Sequence, residues 1–229
     1  MSKNLFITGT GTDVGKTYVT GLIIKKLREQ GLNAAYFKAA MSGNQRADDG
    51  SLIPGDAVNV KKLSGISQPT AEMCPYVYEN AYSPHLAAKI EGNPVEMSVV
   101  KTAFAEVCQK YDYVTAEGSG GIICPIAYNP PQSKIQLEDI IKELKTPCLI
   151  VADAGLGTIN SVVLTVEYIR NRHIPIKGII FNNWHPDSVM EQDNLQMCQY
   201  LTGEKVIACV PEGAKDLDID PQVLISLYE

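Results

Sequence analysis

One stretch constrains this chain more than any other: Gly9-Thr10-Gly11-Thr12-Asp13-Val14-Gly15-Lys16-Thr17. It follows a short apolar run, Leu5 to Thr8, and precedes a segment in which Val19, Leu22, Ile23 and Leu27 recur at helical spacing. A glycine-rich turn between a buried strand and a helix, closed by Gly-Lys-Thr, is the context of a phosphate-binding loop. Its glycines let backbone N–H groups point at phosphate oxygens, and the helix N-terminus favours negative charge. Lys16 can reach the outer phosphates and the Thr17 hydroxyl can ligate Mg²⁺. The spacing is G-x5-G-K-T, one residue longer than the strict pattern. A chain that opens this way is expected to be an α/β protein with a parallel sheet.

The rest of the sequence keeps that expectation. Apolar runs recur at Ala34–Ala40, Tyr113–Ala116, Cys148–Ala152, Gly178–Phe181 and Val206–Val210. Continuous apolar runs of this length are the signature of strands covered on both faces. Helical stripes lie between them: Met97, Val100, Phe104 and Val107; Leu137, Ile140, Ile141 and Leu144; Ile159, Val162, Val163, Val166 and Ile169; and a weaker one from Asp187 to Leu201. Gly31 is a candidate C-cap for the first helix. Strands alternating with helices predict a mostly parallel central sheet with helices on both faces. Residues 1–229 read as one domain of this kind. The least regular stretches, Met41–Pro84 and Gly118–Lys134, keep apolar residues and read as active-site loops, with short helices near Asp56–Leu63 and Pro84–Ile90.

In such a sheet ligands gather at the carboxyl ends of the strands, and that rule selects further candidates. Lys38 ends the second run, where an ammonium can stabilise charge on a transferring phosphoryl group. Glu117 ends the third, followed by Gly118-Ser119-Gly120-Gly121, and is placed where phosphate-loop proteins carry a Mg²⁺-associated carboxylate. Asp56, after Pro54-Gly55, reads from its position as a helix N-cap. Gly155-Leu156-Gly157-Thr158-Ile159-Asn160 precedes a helix and offers backbone N–H groups to an anion or makes a tight turn. Asn182-Asn183 and Pro211-Glu212-Gly213 end the fifth and sixth runs, and an Asn amide suits a nucleobase edge. His85, His173, His185 and Trp184 have no partner cluster that suggests chemistry.

Composition narrows the classes. The formal net charge of −6 argues against nucleic acid held by the overall field. Cys74, Cys108, Cys124, Cys148, Cys198 and Cys209 are widely spaced with no C-x-x-C pair, so reduced thiols are expected rather than disulfides or zinc. The apolar stretch at Leu5–Ile7 is too short for a signal peptide, and no run approaches the ~18 residues of a membrane span. A cytoplasmic protein is expected.

Taken in order, these pieces resemble the dethiobiotin synthetase family: Thr8 to Thr17, Lys38-Ala-Ala-Met-Ser-Gly43, Asp56, Ser83-Pro-His85, Glu117 to Gly121, Gly155 to Asn160 and Asn182. The resemblance implies ATP- and Mg²⁺-dependent ring closure. 7,8-diaminononanoate takes up CO2 as a carbamate, ATP converts it to a carbamic–phosphoric anhydride, and the second amine closes the ureido ring. It implies Thr17, Asp56 and Glu117 as metal ligands, and Lys16, Lys38 and Thr12 as catalytic residues. It implies a nucleotide site of Asp13, Val14, Gly15, Lys16, Thr17, Tyr18, Asp56, Glu117, Gly118, Ser119, Gly120, Asn182, Asn183, Pro211, Glu212 and Gly213. Thr12, Lys38, Ser42, Gly157, Thr158, Ile159 and Asn160 would hold the substrate, the last four its carboxylate across a homodimer interface. The chain departs from the family at Ala39, where proline is frequent, at Gly11 and Asp13 in the phosphate loop, and at Ser119.

Three alternatives share the fold, one of them a nucleotide-binding subunit with no chemistry of its own. A positioning ATPase of the MinD/ParA type carries a second lysine early in the phosphate loop, and Thr10-Gly11-Thr12 has none. Amidating ligases of cobalamin synthesis usually add a glutaminase domain, for which 229 residues leave no room.

Overall fold

A computed structural model describes residues 2–131 and 133–229. Its elements, in chain order, are β1 (Lys3–Gly9), α1 (Lys16–Glu29), β2 (Ala34–Lys38), β3 (Ala40–Met41), α2 (Gly55–Ser64), β4 (Tyr76–Val77), α3 (Pro84–Glu91), α4 (Met97–Lys110), β5 (Tyr113–Glu117), β6 (Pro125–Asn129), β7 (Ser133–Gln136), α5 (Leu137–Leu144), β8 (Cys148–Asp153), α6 (Thr158–Asn171), β9 (Ile176–Trp184), α7 (Val189–Thr202), β10 (Val206–Pro211) and α8 (Pro221–Ser226).

Six strands form one parallel sheet in the order β10-β9-β8-β1-β5-β2. The apolar runs of the sequence are its strands, and the pleat explains why they are continuous. On β1, Leu5 and Ile7 face one core while Phe6 faces the other. On β8, Leu149 and Val151 join the first core, and Cys148, Ile150 and Ala152 the second. Successive side chains point to opposite faces, and both faces are covered, so these strands are apolar almost throughout, with Thr8 the buried polar exception on β1. The first core is roofed by α1 through Val19, Leu22, Ile23, Ile24 and Leu27, together with α2 and α8. The second is roofed by α4, α5, α6 and α7, with Phe37 set edge-on against Phe104 at 5.2 Å.

The edge strand β2 needs partners for its outer backbone, since an unpaired buried peptide group is costly. Buried Gln68 supplies them, accepting from Tyr36 N at 2.8 Å and donating to Tyr36 O at 3.0 Å. The Met73 carbonyl accepts from Lys38 N at 2.8 Å.

Two expectations are corrected, and one helix was not foreseen. Gly118–Lys134 is not irregular throughout: β6 pairs antiparallel with β7 as a hairpin. Pro125 and Pro130 hide it in sequence, because proline argues against strand except at starts and turns, which is where they stand. Asp56 is not the N-cap of α2; Pro54 holds that place and Asp56 lies in the first turn. Helix α8 escapes the pattern because it has six residues, although Asp220 caps it by accepting from Gln222 N at 2.7 Å. All six cysteines are free thiols. Among the described residues no helix is long and apolar enough to cross a membrane.

Candidate active site

The site forms where β1, β5 and β2 end together. Between β1 and α1 the chain turns through Asp13 at φ 60° and Gly15 at φ 87°. A Cβ on Gly15 would fall 2.0 Å from Asn182 Nδ2, so the position requires glycine for space as well as for φ. Lys16 folds back over the turn and donates to the Gly11 carbonyl at 2.7 Å. Burial pulls its ammonium below the usual lysine range, and the nearby carboxylate of Glu117 opposes that without cancelling it.

The register of β2 against β5 sets Lys38 beside Glu117. Their side chains meet at 2.7 Å between Nζ and Oε1, and Nζ lies 2.6 Å from Asp56 Oδ2 on α2. The Thr17 hydroxyl donates to the same Glu117 oxygen at 2.7 Å. The other Glu117 oxygen accepts the Tyr36 hydroxyl at 2.9 Å. Burial alone would lower the Lys38 pKa; the charges of Glu117 and Asp56 outweigh it and hold the ammonium above its ordinary value. The group is therefore a cation at any physiological pH.

These residues line one cleft of about 890 Å³. Thr12, Asp13, Gly15, Lys16, Thr17, Tyr18, Lys38, Ser42, Asp56, Glu117, Ser119 and Gly120 all line it. Five lysines and three carboxylates face it, so the cleft is cationic in a chain of net charge −6. Ser119 and Ser42 shape its wall by donating to the carbonyls of Ala40 at 2.8 Å and Tyr82 at 2.7 Å.

Other candidates lie outside the cleft. Asn182 is buried and donates to the Val14 carbonyl at 3.2 Å, which braces the phosphate loop from behind. Asn183 donates instead to Asp153 at 2.7 Å. Pro211, Glu212 and Gly213 are exposed, but their loop is tied to α1: Tyr18 donates to the Ala214 carbonyl, and Lys25 to the Lys215 carbonyl at 2.8 Å. Gly157, Thr158, Ile159 and Asn160 open α6 away from the cleft. Asn194 holds that turn from α7 by donating to the carbonyls of Ala154 and Gly155 at 2.9 and 3.1 Å. His185 pairs with Glu191 at 2.9 Å and has no part in the cleft.

Sequence reasoning missed Tyr36, Lys25, Lys62 and Lys215. Tyr36 carried a signal, since it lies two residues before Lys38 and so on the same strand face. The lysines carried none, because their approach depends on how α1, α2 and the loop after β10 pack.

Thr17 and the two carboxylates offer hard oxygen donors, which suit Mg²⁺. That the pair already holds a cation, the Lys38 ammonium, is independent sign of a cation-binding position. Among the described residues no group of three or more His, Cys, Asp or Glu converges, in the cleft or outside it.

Comparison with known proteins identifies the family. A family model described as an AAA domain matches residues 3–217. The ATP-dependent dethiobiotin synthetase BioD of Brachyspira hyodysenteriae is 51% identical over 229 residues, covering 100% of both chains. The enzyme of the same name from Clostridium novyi is 50% identical over 211 residues, covering 92% of this chain and 88% of its own. Among solved structures, the MinC:MinD cell division protein complex of Aquifex aeolicus superimposes with a TM-score of 0.58 at 14% identity, over 93% of this chain and 83% of that one. At that identity the likeness is one of fold alone. The full-length identity decides between the readings that share this fold: the chain belongs to the dethiobiotin synthetase family.

Proposed function

We propose that this protein closes the ureido ring of dethiobiotin from 7,8-diaminononanoate, CO2 and ATP. The observation that carries the reading is the convergence of Lys16, Thr17, Lys38, Asp56 and Glu117 on one cationic cleft at the strand ends. No His or Cys lines that cleft, which fits a reaction run by positioning and charge neutralisation rather than by an enzyme nucleophile.

The chemistry is the one the family resemblance implies, and we assign its steps to these residues. One amine of the substrate adds to CO2, losing a proton and giving a carbamate. A carbamate oxygen displaces ADP from the γ-phosphorus of ATP, leaving a carbamic–phosphoric anhydride. The second amine attacks the carbonyl carbon, loses a proton and expels phosphate as the ring closes. Lys16, with the N–H groups of residues 13–17, grips the phosphates, and Thr12 and Ser42 contact the substrate near the reacting centre. Lys38 neutralises charge on the carbamate and the transferring phosphoryl group. Thr17, Asp56 and Glu117 would hold Mg²⁺, which when bound offsets phosphate charge. Gly118, Ser119 and Gly120 wall the phosphate side. Asn182, Asn183 and the Pro211–Gly213 loop take the base.

None of residues 157–160 lines the cleft, and we read their turn as the carboxylate grip of a homodimer. Leu156, Val189 and Leu164 are 92%, 80% and 62% exposed beside it, the apolar surface an interface covers. We read residues 1–229 as a single cytoplasmic ligase domain, with the free thiols in keeping.

The test is coupling. With Mg²⁺·ATP, ADP release should require both the diamine and bicarbonate, and omission of either should leave only background. ADP release indifferent to the diamine would contradict the reading.

A further inference from the structure

Lys38 is committed to the wrong partners for the task assigned to it. Its ammonium sits between Asp56 Oδ2 and Glu117 Oε1, at 2.6 and 2.7 Å, and those are the carboxylates read above as metal ligands. Glu117 Oε1 also takes the Thr17 hydroxyl at 2.7 Å, so a single oxygen serves the metal set and the lysine. A divalent cation on that oxygen would put a second positive charge beside the ammonium, and like charges at such range repel strongly away from water. Glu117 and Lys38 are 2% and 6% exposed, so water cannot screen them.

The two ends of this ion pair are not equally free to move. Tyr36, fully buried, donates to Glu117 Oε2 at 2.9 Å and fixes the carboxylate's orientation. The lysine has a flexible four-carbon stem, lines the cleft that Ser42 and Gly120 also line, and can turn into it. Asp56 stands at the rim with its side chain 36% exposed. A buried carboxylate left without a cation is strongly unfavourable, so Lys38 can leave only when another cation takes over.

We infer that Lys38 is the internal counter-cation of the Asp56–Glu117 pair, and that it is displaced into the cleft when Mg²⁺ enters with the nucleotide. The inference rests on the reading that Thr17, Asp56 and Glu117 hold the metal. Its consequence is order: the ammonium reaches the carbamate and phosphoryl group only in the metal-loaded site. Tyr36 is a positioning residue in this scheme, since it keeps Glu117 still while its partner changes.

The full-length protein tests this by Mn²⁺ titration, followed by electron paramagnetic resonance, with ADP present. Lys38→Met should bind Mn²⁺ about tenfold more tightly than the wild type or better, because the competitor is gone. Lys16→Met removes a nearby charge that hydrogen-bonds neither carboxylate, together with a phosphate contact, and should not tighten Mn²⁺. Equal or weaker Mn²⁺ affinity in Lys38→Met overturns the exchange, as does equal tightening in both variants. If Asp56→Asn abolishes Mn²⁺ binding while Lys38→Met leaves it unchanged, the exchange falls and the metal site stands. If no protein binds Mn²⁺, both fall. Should Lys38→Met fail to fold, the ¹⁵Nζ resonance of Lys38 in the wild type decides. It should stay in place with ADP alone and move with Mg²⁺·ADP; a resonance indifferent to Mg²⁺ overturns the exchange.

Discussion

Gly15 carries two demands at once. Its φ of 87° costs about 1–2 kcal/mol for any residue with a Cβ, and the added carbon would lie 2.0 Å from the Asn182 amide. Asn182 would have to release the Val14 carbonyl that it braces at 3.2 Å. Gly15→Ala should therefore lower the melting temperature by about 5–10 °C and weaken ATP binding, both measurable by thermal shift with and without nucleotide. Unchanged melting and an unchanged nucleotide-induced shift would mean that the loop tolerates another geometry. The residues with a motif position, Lys16, Thr17, Lys38, Asp56 and Glu117, were legible in the sequence, the role of Asp56 through family likeness rather than spacing. Tyr36 was overlooked despite its spacing from Lys38, because a tyrosine in an apolar run reads first as core. Its hydroxyl finds Glu117 only through the pairing of strands 81 residues apart.

At the scale of elements, the six long strands were legible because a parallel strand buried on both faces has few polar positions to interrupt it. The amphipathic helices were legible through their stripes. The hairpin of β6 and β7 was hidden by its prolines, and β3 and β4 are too short, at two residues each, to leave a pattern. The covering of the β2 edge was also hidden, because it depends on one side chain from outside any element. Gln68 satisfies both backbone groups of Tyr36. Gln68→Ala leaves them buried and unpaired, and should cost about 1–3 kcal/mol in urea unfolding. It should also slow turnover, because Tyr36 and Lys38 share that strand. A neutral unfolding midpoint would show that the edge finds other partners.

The whole molecule concentrates positive charge in one cleft while its surface is acidic, which draws a polyanion to the strand ends. Its thiols also make stability depend on pH. Burial pushes Cys74 up to about 12 from an ordinary 9.0. Burial likewise pushes Cys124, Cys198 and Cys209 up to about 11. Above pH 9 the unfolded chain releases these protons and the folded one keeps them. The folded state therefore loses stability as pH rises, by about 1.4 kcal/mol per pH unit for each thiol. The urea midpoint should be level from pH 7 to 8 and fall between pH 9 and 11; a midpoint level to pH 11 would contradict this. The central claim concerns the reaction itself, and carbon labelling tests it most directly. Purified protein given 7,8-diaminononanoate, Mg²⁺·ATP and ¹³C-bicarbonate should form dethiobiotin whose ureido carbon carries the label, with one ADP released per ring closed. The same incubation with CTP reads the base preference. Bound ATP with no labelled dethiobiotin would contradict the account.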